Sequence, residues 1–324
     1  RPPTPPSWSW RGLRERVQPG YLHERHLRAH GIDVASHLAQ PPPGSRIPFA
    51  GWIPDFQHRH LPGLFTGEEC RRRDERHARM AAGARLVIVS SASACADFAR
   101  FHPAYAAKAR VLRFSVFPPP EPDHAERSAL LQRLGITRPF FHLPNQWWAH
   151  KNHGLVVEAL LRLRARGACP LVVSTGGDAE GAGAEHAARV RARVAEAGLE
   201  ERFRFLGLLD YRSTFALMRE AAAIINPSRF EGWSTTVEEA RSMGKSILLS
   251  ELPVHREQDP PRATYFSPDD ADALASCMMN ILEQFDPNRE QRAAEAARAD
   301  VLPRARAFAR AYAAILDEAL RISA

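Results

Sequence analysis

The sequence predicts an α/β protein in which short parallel strands alternate with helices, distributed over two domains. Its 324 residues exceed the usual length of a single domain. Short apolar runs recur along the chain, such as LVIVS at residues 86–90 and SILLS at residues 246–250, and such runs are typical of strands buried on both faces of a parallel sheet. Segments of helical character separate these runs, so the pattern indicates repeated strand–helix–strand units.

The first predicted domain covers residues 1–120. Residues 1–20 are rich in proline and are expected to be irregular, and the prolines at 118, 119, 120 and 122 are expected to form a stiff linker that ends the domain. The elements predicted between them are helix Tyr21–His30, strands Ile32–His37 and Pro48–Ile53, helix Glu68–Ala82, strand Leu86–Ser90, helix Ser93–Phe101 and strand Val111–Val116.

The second predicted domain covers residues 121–302, and residues 303–324 follow it as a C-terminal helix. Its predicted strands are Pro139–Leu143, Leu171–Ser174, Phe203–Leu206, Ala222–Ile225 and Ser246–Ser250. Its predicted helices are Glu126–Leu134, Leu155–Arg166, Arg189–Ala197, Thr214–Ala221, one that begins at Ser234 or Thr235, and Ala271–Gln284.

Composition narrows the functional class. The formal net charge of +7 comes mainly from arginine, because lysine occurs only at positions 108, 151 and 245. No run of basic residues is longer than Arg71–Arg73, and no basic stripe is interleaved with aromatic residues, so no nucleic-acid partner is predicted. An anionic membrane surface is the expected partner of the basic charge, and a merely solvated face is the alternative.

The cysteines and the hydropathy pattern bear on the compartment. The four cysteines are scattered without paired spacing, which argues against a zinc site or a disulfide framework and favours a reducing cytoplasm. No apolar run reaches the roughly 18 residues of a membrane-spanning helix, and the first residues lack the apolar core of a signal peptide. The sequence begins without an initiator methionine, as a fragment of a longer protein would.

The stretch from Ala222 to Ser250 carries the strongest chemical signal, because it reads as strand, tight loop, helix and strand. Thr235–Glu238 and Thr236–Glu239 both have the spacing of a capping box, and Gly244 is placed to follow the end of the helix. A helix N-terminus that follows a strand is an anion site.

Glu231 and Glu239 bracket this loop and the first turns of the helix. Carboxylates beside an anion site suit a sugar nucleotide, whose diphosphate takes the helix end while its hydroxyls donate to the carboxylates. The alternative is an ordinary strand–helix–strand unit with two surface glutamates.

Three segments together resemble a known family. RFEGWSTTVEEARSMGKSILLS resembles the signature of retaining GT-B glycosyltransferases, most closely glycosyltransferase family 4. FFHLPNQWWAHKNHG at 140–154 and GWIPDFQHRHLPGLF at 51–65 resemble a bacterial subgroup that builds surface polysaccharides. The resemblance implies two Rossmann-like domains facing a cleft, with the acceptor on residues 1–120 and the nucleotide sugar on 121–302. Because residues 1–50 lack the family's glycine-rich loop, the first domain is expected to be truncated.

The resemblance also implies site residues. The family's arginine and lysine that grip the donor diphosphate fall on Gln146 and Lys151, so one positive charge is absent. The family's histidine beside Asp55 falls on Pro54, so His58 or His60 is expected to replace it. The expected catalytic residues are Glu231, His58 and Asp55, and the expected donor-binding residues are Gln146, Lys151, Gly232, Trp233, Ser234, Thr235 and Glu239.

The function implied is retaining transfer of a hexose from a nucleoside-diphosphate sugar to a lipid-linked saccharide. The enzyme would work without a metal or other cofactor, since no Asp-x-Asp stretch occurs in a metal-binding context, and it would lie on the inner face of the plasma membrane. The alternatives are a non-catalytic sugar-nucleotide-binding remnant and a GT-B-like epimerase. The acceptor-side loop and the spacing of the glutamates favour the transferase.

Overall fold

The computed structural model describes residues 21–37, 46–137, 139–177 and 181–322. The proline-rich segment 1–20, predicted to be irregular, lies outside the described residues. The chain divides into two compact units, one formed by residues 1–113 with 307–324 and the other by residues 114–306. The predicted bounds at 120 and 302, and the acceptor and donor roles given to the domains, stay predictions.

The described part of the first unit contains a parallel four-stranded sheet in the order β1-β2-β3-β4. The strands are β1 Ala35–Ser36, β2 Phe49–Ile53, β3 Leu86–Val89 and β4 Ala109–Val111. The helices are α1 Tyr21–Ala29, α2 Gln57–His60, α3 Gly67–Gly83 and α4 Ala92–Phe101. α3 begins with a capping box between Thr66 and Glu69, and the side chain of Ser91 caps α4.

The second unit contains a parallel six-stranded sheet in the order β10-β9-β8-β5-β6-β7. Its strands are β5 Phe140–Pro144, β6 Leu171–Thr175, β7 Phe203–Phe205, β8 Ala223–Asn226, β9 Ile247–Ser250 and β10 Ala263–Phe266. Its helices are α5 His124–Arg133, α6 His153–Ala165, α7 Ala182–Glu196, α8 Tyr211–Glu220, α9 Thr235–Ser242, α10 Pro253–Gln258, α11 Ala271–Glu283 and the first part of α12 Pro287–Arg321.

The apolar runs of the sequence form the cores of the two units. β3, β8 and β9 are buried at every position, as expected for central strands of parallel sheets covered on both faces. In the first unit, Ile315 and Ala319 at the end of α12 pack with Ala50, Leu86 and Ile88 of the sheet. The α/β class with parallel strands is therefore confirmed.

Several predicted elements are wrong in extent. The strand predicted at Ile32–His37 is limited to Ala35–Ser36, and the helix predicted at Arg189–Ala197 begins at Ala182. The strand predicted at Val111–Val116 ends at Val111, and the next residues turn to other partners: Phe114 accepts a hydrogen bond from the indole of Trp233, and Val116 packs beside Phe215. The helix predicted to start at Pro303 starts at Pro287, and Pro303 lies inside it. Proline suits a first turn, so the sequence pattern favoured the later start.

The capping boxes predicted for α9 are also wrong. The helix begins at Thr235, and its N-cap residue Ser234 makes no side-chain cap. The Ser234 hydroxyl instead accepts a hydrogen bond from Asn226 Nδ2 at 2.8 Å. The prediction for the other end is confirmed, because Gly244 follows the helix with a φ of 65° and would carry a Cβ only 2.2 Å from the backbone oxygen of Ala293. Within the described residues, none of the helices has the length and apolarity that crossing a membrane requires.

Candidate functional site

The carboxyl ends of β5 and β8 lie side by side in the sheet of the second unit. The strand order reverses between them, because β6 and β7 extend the sheet from β5 while β9 and β10 extend it from β8. Ligands of open α/β sheets bind at such a switch point. The segments that leave these strands, residues 145–152 and 227–234, carry most of the predicted donor-binding residues.

Lys151 and Glu231 form an ion pair across these segments. Lys151 Nζ donates to Glu231 Oε1 at 2.7 Å, although the residues are 80 positions apart. The hydroxyl of Ser228, also 2.7 Å away, donates to the same oxygen. Burial acts to raise the pKa of Glu231, but the nearby Lys151 and His255 outweigh it and hold that pKa below its usual value. The carboxylate is therefore ionised at neutral pH.

Backbone contacts fix the distance between the two segments. Asn152 has a left-handed backbone with a φ of 58°, and its side-chain amide donates to the oxygens of Pro227 at 3.1 Å and Pro268 at 2.8 Å. Asparagine adopts this conformation more readily than most residues. The backbone N–H of Arg229 donates to the oxygen of His150 at 2.7 Å. Lys151 and Glu231 are thus held in register by hydrogen bonds on both sides of their contact.

The N-terminus of α9 follows directly from the Glu231 loop. Ser234 N–H donates a hydrogen bond to Gln258 Oε1 at 3.1 Å. Glu238 N–H donates to Ser234 O, and this is the first of the regular backbone hydrogen bonds of the helix. Between them, the backbone N–H groups of Thr235, Thr236 and Val237 have no hydrogen-bond partner among the described residues. Such amides, together with the positive end of the helix dipole, favour an anion.

Glu239 lies one turn further along α9 and is partly buried. Burial raises the pKa of this side chain from 4.5 to about 7. Its carboxyl group has no hydrogen-bond partner within the described part of the chain. Burial, together with the charge of Glu239, raises the pKa of the nearby Tyr211. Glu231 and Glu239 therefore differ: Glu231 is ionised and paired, whereas Glu239 is a poorly solvated acceptor without a partner.

The side chains of Gln146 and Trp233 form hydrogen bonds with neighbouring residues. Gln146 is exposed, and its side-chain oxygen accepts a hydrogen bond from the indole of Trp148 at 2.8 Å. Trp233 donates to the backbone oxygen of Phe114 at 3.0 Å and lies edge-on to the Phe114 ring. Gly232 is partly exposed between Glu231 and Trp233. The donor-binding roles of all three stay predictions.

Asp55 and His58 lie in the first unit and are described by themselves. Asp55 Oδ1 accepts from the backbone N–H of Gln57 at 2.9 Å, at the start of α2. His58 is only 1% exposed, and its Nε2 lies 2.8 Å from Asp74 Oδ1. His60 is the more accessible histidine of α2, with its ring 2.7 Å from Asp97. This difference favours His60 over His58 as the group that reaches a ligand.

The histidines beside Lys151, His150 and His153, are neutral at pH 7. His153 stacks on Trp147 with ring centroids 4.0 Å apart, and burial lowers its pKa to about 3. Burial, reinforced by the charge of Lys151, lowers the pKa of His150 to about 4. No group of three or more His, Cys, Asp or Glu side chains in the described ranges is placed to hold a metal ion.

Ser228, Asn152 and Gln258 support the site but were not predicted from the sequence. Asn152 and Gln258 act through contacts with backbone atoms of residues distant in the chain, and such contacts leave no periodic signal. Ser228 bonds the nearby Glu231 side chain, but a loop serine has no sequence pattern that marks this contact. The glycines after β6 have a structural reason. Gly176 has a φ of 147°, and a Cβ there would lie 2.3 Å from the backbone oxygen of Asn145, so glycine lets the loops after β5 and β6 approach.

Comparison with known proteins adds a family match and a set of similar folds. Residues 141–284 match the model of a family described as glycosyl transferases group 1. No curated protein matches the chain in sequence at a significant level.

The fold resembles solved glycosyltransferase structures. A glycosyltransferase from Rickettsia africae ESF-5 is 15% identical, with a TM-score of 0.73 over 99% of this chain and 85% of that chain. HepE of Anabaena, solved with UDP-glucose, is 18% identical, with a TM-score of 0.70 over 93% of this chain and 83% of that chain. WaaG, a glycosyltransferase involved in lipopolysaccharide biosynthesis, is 18% identical, with a TM-score of 0.61 over 86% and 75%.

The fold and the matched domain define a glycosyltransferase enzyme of the GT-B fold. In this chain the glycosyltransferase group 1 match covers β5 through α11, which includes both segments of the candidate site. The predicted fold class and enzyme class are confirmed. The truncation of the first domain stays a prediction.

Proposed function

We propose that the protein is a retaining glycosyltransferase of family 4 that transfers a hexose from a nucleoside-diphosphate sugar to a lipid-linked saccharide during surface-polysaccharide synthesis. The observation that carries the proposal is the Lys151–Glu231 ion pair on the loop that leads into the free amide end of α9. The pair and the amides meet at the switch point of the sheet, where a nucleotide ligand of an open α/β fold is expected.

The donor diphosphate is placed on the amides of Thr235, Thr236 and Val237, with Lys151 as its cation. In the unliganded protein Lys151 is neutralised by Glu231, so the arriving diphosphate competes for it. Once Lys151 turns toward the phosphates, Glu231 keeps the Ser228 hydrogen bond and gains capacity to accept bonds from sugar hydroxyls. Glu239, the carboxyl group without a partner, accepts from the ribose. The UDP and UDP-glucose complexes of HepE support a donor of this class.

The reaction needs no protein nucleophile. The bond from the anomeric carbon to the diphosphate oxygen breaks, and the acceptor oxygen bonds to that carbon from the same face. The leaving diphosphate takes the proton of the acceptor hydroxyl, so the anomeric configuration is retained. Negative charge grows on the diphosphate as its bond breaks, and Lys151 and the helix amides stabilise it.

Asp55 and a histidine of α2 are proposed to contact the acceptor side of the reaction. His60 is the better candidate because His58 is buried against Asp74. A lipid-linked acceptor is supported by the formal net charge of +7, which suits an anionic membrane surface on the inner face of the plasma membrane, and by the likeness to WaaG.

The direct test of the function is turnover. The protein is incubated with radiolabelled nucleoside-diphosphate hexoses and a lipid-linked saccharide fraction, and both nucleoside diphosphate and labelled lipid are quantified. The expected result is equal release and transfer, with NMR showing the anomeric configuration of the donor in the product. Glu231→Gln should abolish transfer, whereas Glu185→Gln, at an exposed glutamate of α7, should not change it. Binding without turnover, or epimerised sugar nucleotide without transfer, would contradict the proposal.

The transfer is proposed to be independent of metal ions, because Lys151 and the amide end of α9 supply positive charge to the diphosphate. We expect turnover to be unchanged in excess chelator. Loss of turnover that magnesium or manganese restores would contradict this part of the proposal.

Membrane association is tested by flotation. The protein should float with vesicles that contain anionic lipid and remain at the bottom with purely zwitterionic vesicles. Because the attraction is electrostatic, high salt should release the bound protein. If the same fraction of protein floats with both vesicle types, the anionic membrane surface is not a partner of this protein.

A further inference from the structure

Gln258, the last residue of α10, holds the peptide groups of Ser234 from both sides. Its side chain is 2% exposed. Its Oε1 accepts from Ser234 N–H at 3.1 Å, and its Nε2 donates to Ser234 O at 3.0 Å. The paired contact fixes the backbone of the N-cap residue of α9. It leaves the backbone N–H groups of Thr235, Thr236 and Val237 without a side-chain cap among the described residues.

Glu238 continues this arrangement into the interior. It is fully buried, and its Oε1 accepts from Gln258 Nε2 at 3.0 Å. Its other carboxylate oxygen is bound by Arg304 Nη2, from α12. A buried carboxylate needs a counter-charge and hydrogen bonds, and Glu238 has both. The connected groups therefore run from Arg304 through Glu238 and Gln258 to the Ser234 backbone.

The position of Ser234 sets the direction of the free amides. Ser234 is followed by the first helical turn, Thr235, Thr236 and Val237. A rotation of the Ser234 peptide would therefore change the direction of all three N–H groups. Because Gln258 occupies Ser234 N–H, an anion at this end of α9 has to use the later amides. A misplacement of about 1 Å is enough to lower the rate of a positioned reaction severely.

We propose that Gln258 and Glu238 are positioning residues for the donor diphosphate, with the partly buried Arg304 as the counter-charge of Glu238. This rests on the proposed function of the α9 N-terminus. The residues touch neither the reacting atoms nor the sugar. They act through the backbone of Ser234. Their loss should therefore weaken binding of the phosphates more than binding of the nucleoside.

The experiment compares binding of a nucleoside diphosphate with binding of the matching nucleoside by calorimetry, and measures kcat. Gln258→Met keeps the buried volume and removes all three hydrogen bonds. We expect Gln258→Met to lower kcat, and the ratio of diphosphate affinity to nucleoside affinity, each by about 10-fold or more, because the aligned set of N–H donors is lost. The affinity for the nucleoside itself should stay within about 3-fold of the wild-type value. Glu238→Gln, a smaller change, should shift the same ratio in the same direction and serves if Gln258→Met does not fold.

The matched control is Lys245→Met, beyond the other end of α9. Lys245 is also buried, donating to Ala221 O at 2.7 Å and to Glu290 at 2.8 Å. Its loss should lower the melting temperature but leave the affinity ratio and kcat of the folded protein unchanged. An unchanged ratio and kcat in folded Gln258→Met would overturn the inference, even if the melting temperature fell. If Lys151→Met weakens diphosphate binding but Gln258→Met does not, the inference fails and the proposed function still stands. If the wild-type protein binds the nucleoside diphosphate no better than the nucleoside, the proposed function itself is contradicted.

Discussion

Lys151 differs from the other lysines of the chain in what it contacts. Lys108 donates to the oxygens of Ala81, Ala82 and Ala84 at the end of α3, and Lys245 caps the end of α8 through Ala221. Both hold helix C-termini, where a cation is favoured by the helix dipole. Lys151 instead meets a carboxylate that a ligand can replace, so it is the lysine available for an incoming anion.

We expect Lys151→Met to lower transition-state stabilisation by about 2–4 kcal/mol, because the amides of α9 would hold the leaving diphosphate alone. The loss should appear in kcat at least as strongly as in KM, since negative charge grows during bond cleavage. Steady-state kinetics check this. Arg193→Met, which removes a cation from an exposed pair with Glu158, is the control and should retain full activity. A fully active Lys151→Met enzyme would show that the diphosphate lies elsewhere.

If Glu239 binds the ribose as proposed, nucleotide binding should depend on pH. Its pKa of about 7 means that the free protein carries a mixture of protonated and ionised forms near neutrality, and ribose hydroxyls donate to the ionised form. Nucleotide affinity should therefore rise as the pH increases from 6 to 8. Calorimetry across this range checks it, and Glu239→Gln should flatten the profile. A profile that keeps its slope in Glu239→Gln would assign the titration to another group.

The same side chain affects stability with a defined sign. The pKa of Glu239 is higher in the folded protein than in the unfolded chain, so its ionisation opposes folding, and stability is lost as the pH rises from about 4.5 to about 7. Glu239→Gln should thus stabilise the protein at pH 8 by about 1–3 kcal/mol and have little effect at pH 4. Urea unfolding at the two pH values measures this, and equal effects at both would contradict the assignment.

At the level of elements, the sequence predicted the β8–α9–β9 unit well because its strands are fully buried and its helix ends at a glycine. It could not predict how α9 begins. The Thr–Glu spacings match a local capping pattern, but Asn226 and Gln258 occupy Ser234, and Arg304 binds Glu238. These partners come from other elements, and tertiary contacts overrode the local preference.

The contact between the loops after β5 and β6 gives an element-scale prediction. Gly176→Ala should destabilise the protein by at least about 2 kcal/mol, because its φ of 147° and the oxygen of Asn145 leave no place for a Cβ. Gly154→Ala, in α6 with nothing near its Cβ, should instead stabilise by about 0.5–1 kcal/mol. Thermal unfolding of both variants checks the pair, and a neutral Gly176→Ala would contradict the close approach.

At the level of the whole molecule, the sequence motifs of the proposed donor site lie in one unit, residues 114–306, whereas Asp55 and His58 belong to the other. The segments proposed to bind the donor stand out in the sequence because each is a short local pattern at a strand end. The sequence could not decide between His58 and His60, because the decision depends on which ring is buried against α3. Prediction of the last helix failed for a similar reason, since its interior Pro303 reads as a start.

The proposed function depends most on the α9 amides and Lys151 binding the diphosphate of the donor. A crystal structure of the protein with a nucleoside diphosphate tests it most directly. We expect phosphate oxygens about 3 Å from the N–H groups of Thr235, Thr236 and Val237. Lys151 Nζ should have turned from Glu231 to the phosphates, and the ribose should lie against Glu239. A diphosphate bound away from these amides, with the Lys151–Glu231 pair intact, would contradict it.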